Sequence, residues 1–272
     1  KGMRPFEYKV LHVTEGGVSE IDVKLTGSNK VSDLALFIDN TDQLYLCGFY
    51  GKDIKSGENT AIDGVFFGEI NMKSKSISVK THKFKNDLLE DLIDEKDLKK
   101  GYGDSYEYGI KELISFDDGT FSFLAENTYW DALKKEYHSD GMIIPKFNKD
   151  GSLIHIAKID KQFSSKLREE TSYTSNVYNG KIYIVSNDEK SKEEKAELHK
   201  AGMKKGGKFT RFTDLCIIGA DGKIEEQKTI FNDQEPGSFY APIYSFHHKD
   251  KLVLATVTTM FKKYKYGTMQ LK

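Results

Sequence analysis

KELISFDDGTFSFLAENTYW, residues 111–130, alternates apolar and polar side chains on both sides of Asp117-Asp118-Gly119, and its second arm runs into an aromatic group. Period-two alternation rich in Phe, Ile and Thr around an Asp-Gly pair is the pattern of two antiparallel strands joined by a tight turn. Three other stretches share it: LALFIDNTDQLYLCGFYG (34–51), TSNVYNGKIYIVSND (174–188) and PIYSFHHKDKLVLATVT (242–258). In each the second arm is the more apolar, so it is the arm expected nearest the core.

A second kind of hairpin follows three of these. GVFFGEINMKSKSISVK (64–80), GMIIPKFNKDGSLIHIAKI (141–159) and DLCIIGADGKIEEQKTI (214–230) are expected to turn at Met72-Lys73-Ser74, Asp150-Gly151 and Asp221-Gly222, the Asp-Gly pairs reading as two-residue turns. EYKVLHVTEGGVSEIDVKL (7–25) is a further copy turning at Gly16-Gly17. First-type turns recur near Asn40, Asp118, Gly180 and Asp250, so the repeating unit is one four-stranded sheet. A single sheet cannot bury both faces, whereas sheets stacked radially can, and the expected fold is all-β: a β-propeller of four-stranded antiparallel blades with short helical insertions.

Complete blades are expected over residues 32–84, 108–160 and 173–230, with an outer-type hairpin before them and an inner hairpin (239–259) and a last strand after them. About five blades or part-blades are visible. The preferred expectation is that residues 1–272 form a single propeller domain, the C-terminal part of a larger ring, over a ring of about five blades closed by shared ends.

Lys plus Arg number 41 and Asp plus Glu 42, for a net charge of -1, which argues against nucleic acid as a partner. Cys47 and Cys216 sit in separate apolar strands and read as two buried thiols. No run of about 18 apolar residues is present, so no transmembrane helix is expected. Neither a clustered set of metal ligands nor a cofactor motif is found; His247 and His248 are adjacent in a strand and point to opposite faces.

LYLCGFYG with IDGVFFGEI, then DDGTFSFLAENTYW, KIYIVSND and the closing YKYGTMQLK resemble exported β-propeller proteins of unknown function from Gram-negative bacteria. The resemblance runs from about Glu7 to the end and specifies blades, not chemistry. It implies a cell-envelope or extracellular location, with the signal segment absent from this chain, and assigns no catalytic residue.

Function is expected on the face carrying the long connections, GKDIKSGENTA (51–61), the region around residues 127–139, residues 188–208 and the inter-blade segment 85–107. Helices are expected in 86–100 and 189–205, the latter solvated. The aromatic group Tyr129, Trp130, Tyr137 and His138, with Tyr102, Tyr106 and Tyr108 from the preceding connection, suits stacking on a sugar or anchoring a protein. Strand ends bring Tyr50, Glu126, Asn127, Asn187 and Asp188 towards the same face. The candidate binding residues are therefore Tyr50, Tyr106, Glu126, Tyr129, Trp130, Asn187 and Asp188. The expected function is a non-catalytic binding or scaffolding propeller with a protein or glycan partner. The alternative is a carbohydrate hydrolase or lyase with Glu126 and Asp188 as its acid-base pair, a reading that fails if the two carboxylates point into lysines.

Overall fold

The computed structural model describes residues 8–25, 30–39, 42–52, 61–85, 108–201, 211–232, 238–258 and 263–272. The chain is built of antiparallel sheets in the manner of a β-propeller. The first complete blade has the order β3-β4-β5-β6, formed by β3 (Lys30–Ile38), β4 (Leu44–Lys52), β5 (Ala61–Asn71) and β6 (Ser76–Lys83). The second pairs β7 (Tyr108–Ser115), β8 (Phe121–Asp131), β9 (Glu136–Phe147) and β10 (Leu153–Ser165) in sequence. The third pairs β11 (Tyr173–Tyr178), β12 (Lys181–Asp188), β13 (Phe212–Ile218) and β14 (Ile224–Asn232).

At the start stands the hairpin of β1 (Lys9–Thr14) and β2 (Gly17–Asp22). The last sheet has a broken first strand: β15 (Ser238–Tyr240) and β16 (Phe246–His248) pair with opposite ends of β17 (Lys251–Thr258), on whose other edge lies β18 (Tyr264–Gln270). A 3-10 turn over Pro242–Tyr244 makes the break, as expected where proline can donate no ladder hydrogen bond. One α-helix is described, α1 (Lys192–Lys200), which has no buried residue and starts on a capping box from Ser191 to Glu194. The helix expected over 86–100 lies outside the described residues.

Two compact units divide the chain, residues 1–125 with 145–154, and 126–144 with 155–272, so that β8, β9 and β10 contribute to both. In the first unit Ile21, Val31, Leu46, Tyr50, Phe66 and Ile70 form one cluster, while Phe37, Tyr45, Phe67, Phe121 and Phe147 make a chain of ring contacts. In the second, Tyr183, Val185, Leu215, Tyr240, Leu252 and Leu254 join the third blade to the last sheet. Both cysteines are free and buried.

The turns differ from the expected two-residue form. At Asp150-Gly151, Asn148 N–H donates to the Ser152 carbonyl and Gly151 N–H to the Asn148 carbonyl, with Gly151 at φ 79°. That is a three-residue loop, a type I turn closed by a bulged left-handed residue, so only the glycine needs positive φ. The same bonding recurs at Phe116–Thr120 and Gly219–Lys223, and the aspartate earns its place by accepting from the backbone two residues on, as Asp118 does from Thr120 and Asp221 from Lys223. Asn179-Gly180 is a two-residue turn, with both residues at positive φ. At the start, Thr14 pairs with Gly17, so the loop is Glu15-Gly16.

Candidate functional site

The region around residues 127–139, expected as a long connection, is instead the tip of a strand pair. Strands β8 and β9 run on to Asp131 and Glu136 and leave a four-residue loop. Asp131 Oδ1 accepts from the N–H groups of Leu133 (2.9 Å) and Lys134 (3.0 Å), and Lys135 takes φ 55°. The first blade repeats this chemistry: Asn71 Oδ1 accepts from Lys73 and Ser74, and Lys75 takes φ 52°.

Because the strands persist, successive side chains alternate faces, and the aromatic group splits into two pairs. Tyr129 stacks on His138, ring centroids 4.7 Å apart and planes within 3°, while Trp130 meets Tyr137 at 4.5 Å. Tyr129 and Trp130 are 44% and 48% exposed, whereas the interior stretch of β8 from Phe121 to Asn127 is buried throughout. The Tyr129 hydroxyl donates to Asp140 Oδ2 at 3.1 Å. His138 Nε2 is buried without a hydrogen bond and lies 4.0 Å from Asp131 Oδ2. The Lys134 N–H above all, with the Leu133 N–H and the Lys134 and His138 charges, holds the Asp131 carboxyl below the usual carboxylate range against the opposing desolvation.

The other candidates are placed differently. Tyr50 is a core residue, and its ring lies over Gly64, where an added Cβ would stand 2.8 Å from the phenol oxygen. Tyr106 lies outside the described residues. Glu126 is fully buried: its Oε1 accepts from Lys161 Nζ (2.8 Å) and Ser139 Oγ, and Lys161 also donates to the Ser172 carbonyl at 2.9 Å. Asn187 donates to the carbonyls of Glu170 and Tyr240, both at 2.8 Å, and accepts from Thr213. Asp188 accepts from the Gln162 N–H (2.9 Å) and from Lys190 (2.7 Å), whose ammonium also bonds Asp214.

These polar strand ends tie neighbouring strands and sheets together. With two carboxylates around one ammonium, desolvation, aided by Asp214, raises the Asp188 pKa despite its hydrogen bonds. Lys190 loses to desolvation but gains more from the two carboxylates, so its pKa is raised too. Both members of the proposed Glu126/Asp188 acid-base pair therefore point into lysines, and that form of the hydrolase reading fails.

Among the described residues no group of three or more His, Cys, Asp or Glu could hold a metal ion, and no helix is long and apolar enough to cross a membrane. A cavity of about 100 Å³ in the first unit, lined by Phe37, Phe67, Phe121, Phe147, Ser115 and Ser122, gathers no titratable cluster.

Asp131 and Asp140 were not anticipated from sequence. Their signal is the period-two series Tyr129/Asp131 and His138/Asp140, which is legible only if both strands are taken through the segment.

No family model and no curated protein matches the chain. Solved structures with a similar arrangement include the polysaccharide lyase Uly1 (10% identity, TM-score 0.41), of which 54% is covered by 99% of this chain. Others are the α-L-arabinofuranosidase Arb93A from Fusarium graminearum (9%, TM-score 0.34, 88% of this chain and 61% of that one) and a protein of unknown function from Dyadobacter fermentans (9%, TM-score 0.35, 89% and 66%). The chain thus spans about half the length of the lyase. The neighbours with a named activity, a galactosidase and a fructofuranosidase among them, are enzymes named for carbohydrates. This runs against the expectation of a non-catalytic binding or scaffolding module, and that reading is withdrawn. The resemblance to exported propellers holds as far as the propeller fold.

Proposed function

We infer that the protein is a carbohydrate-cleaving propeller, a hydrolase or lyase of the cell envelope or extracellular space, and that the β8–β9 hairpin holds the sugar. The observation that carries this reading is the Tyr129–His138 stack with carboxylates at its edge. A flat ring fixed in orientation by a partner behind it offers apolar area to a pyranose face at little entropic cost. Asp140, bonded to the Tyr129 hydroxyl, and Asp131 at the edge of the stack are assigned to accept from sugar hydroxyls, and they replace Glu126 and Asp188 as the carboxylates assigned to proton transfer.

The test is incubation of the protein with a panel of neutral and acidic polysaccharides, reading new reducing ends and unsaturated products. Tyr129→Ala and Asp140→Asn are expected to lower kcat/KM by about tenfold or more, the scale of one lost acid-base group or stacking partner. Cleavage that is unchanged in both variants would move the site elsewhere.

A further inference from the structure

Asparagine precedes glycine once in the chain, at Asn179-Gly180, and the loop these two residues make leaves reactive atoms unheld. The ladder of β11 and β12 closes on Tyr178 and Lys181, so both loop residues stand outside it, at φ 51° and 73°. Asn179 is exposed, and among the described residues its side chain has no hydrogen-bond partner.

Comparable side chains elsewhere are tied down. Asp118, Asp150 and Asp221, each followed by glycine, accept through Oδ1 from the backbone two residues on. Asn71 accepts from Lys73 and Ser74, Asn148 donates to Ser152 Oγ, Asn176 donates to the Lys249 carbonyl, and Asn187 is buried among its own bonds. A side chain held in this way cannot swing onto the main chain that follows it. The Asn179 carboxamide can, and the residue after it has no Cβ to bar the approach to its nitrogen. Because the ladder ends at Tyr178 and Lys181, rotation of the Asn179 backbone is opposed by the turn alone.

We propose that Asn179 is a site of spontaneous deamidation. The Gly180 nitrogen, deprotonated by hydroxide, bonds to Asn179 Cγ; the Cγ–Nδ2 bond breaks, and the nitrogen leaves as ammonia with a proton from water. Water then opens the cyclic imide at either carbonyl, giving aspartate or its β-linked isomer, with no oxidant or reductant involved. A nucleophile held next to the amide makes this far faster than attack by bulk water. The product adds one negative charge to a chain of net charge -1. Its β-linked form also adds a backbone atom to a loop of two residues, which has no spare length to absorb it. The reaction uses none of the residues assigned to the sugar.

The full chain is aged at neutral and at mildly alkaline pH, then digested. Peptide masses locate each amide that has become an acid, and enzymatic methylation marks the β-linked product. The expected result is loss of the Asn179 amide at least about tenfold ahead of any other asparagine, with a rate that rises with hydroxide. Asn179→Gly keeps a residue suited to positive φ and removes the carboxamide, so this variant should age without the early acidic form seen on isoelectric focusing of the wild type. An Asn179 amide still intact when other asparagines have reacted would overturn the proposal. So would an acidic form that accumulates as fast in Asn179→Gly.

Discussion

Residue by residue, burial and pairing mark the scaffold. Glu126 and Lys161 form an ion pair with both side chains out of solvent. Such a pair adds little net stability over an apolar pair, yet removing one partner leaves an uncompensated charge. Lys161→Met is expected to cost about 3–5 kcal/mol in urea unfolding. Combining it with Glu126→Leu should recover most of that loss; a single variant no less stable than wild type would show that the pair is not buried in solution. Tyr129 and Trp130, by contrast, were legible from sequence as a pair of aromatics near a strand end, and both are exposed. Glu126, Asn187 and Asp188 were misjudged for a physical reason: a strand-end carboxylate or amide looks the same in sequence whether it faces substrate or a lysine in the next strand.

At the scale of elements, alternation and turn residues located all four first-type hairpins, and the third blade follows its expected bounds closely. The turns were less legible, because Asp-Gly serves both a two-residue loop and a three-residue loop with a bulge. Two glycines separate strain from crowding. Gly180 is at φ 73° with its nearest prospective neighbour, the Ala220 Cβ, at 3.9 Å. Gly151 is at φ 79°, and an added Cβ would stand 2.5 Å from the Phe67 ring. Gly180→Ala should cost about 1–2 kcal/mol from backbone strain alone. Gly151→Ala should cost about 1–3 kcal/mol more, because Phe67 sits in the ring cluster and cannot yield freely; thermal melts of the two variants check the order. The hairpin tip was misjudged as a loop because its Asp-Ala-Leu-Lys-Lys segment lacks Gly, Pro and Asn, and its turn rests on one aspartate and a lysine in the left-handed region.

For the whole molecule, buried acids set the response to pH. Burial pushes the Cys216 thiol up to about 12 from an ordinary 9.0 and the Tyr240 phenol up to about 12 from 10.0. Across that window the folded chain keeps protons that the unfolded chain has released, so stability is full below the ordinary values and falls as pH rises towards about 12. Asp118 and Asp221 behave oppositely. Hydrogen bonds from Thr120 to Asp118 and from the Lys223 N–H to Asp221 hold both carboxyls low, so their contribution is present above about pH 4 and is lost on further acidification. A melting-temperature profile should show a plateau with losses on both sides; a rise above pH 10 would contradict the burial of both acids.

The proposed sugar site on the β8–β9 hairpin and the buried Glu126 cluster separate in one experiment: polysaccharide cleavage by Tyr129→Ala and by Glu126→Gln, each checked for folding by its melt. Glu126→Gln, where folded, is expected to cleave at a rate near wild type, whereas Tyr129→Ala should lose about tenfold or more in kcat/KM with its melt little changed. Loss in Glu126→Gln with full activity in Tyr129→Ala would rule out the hairpin site and return the acid-base role to the buried carboxylate.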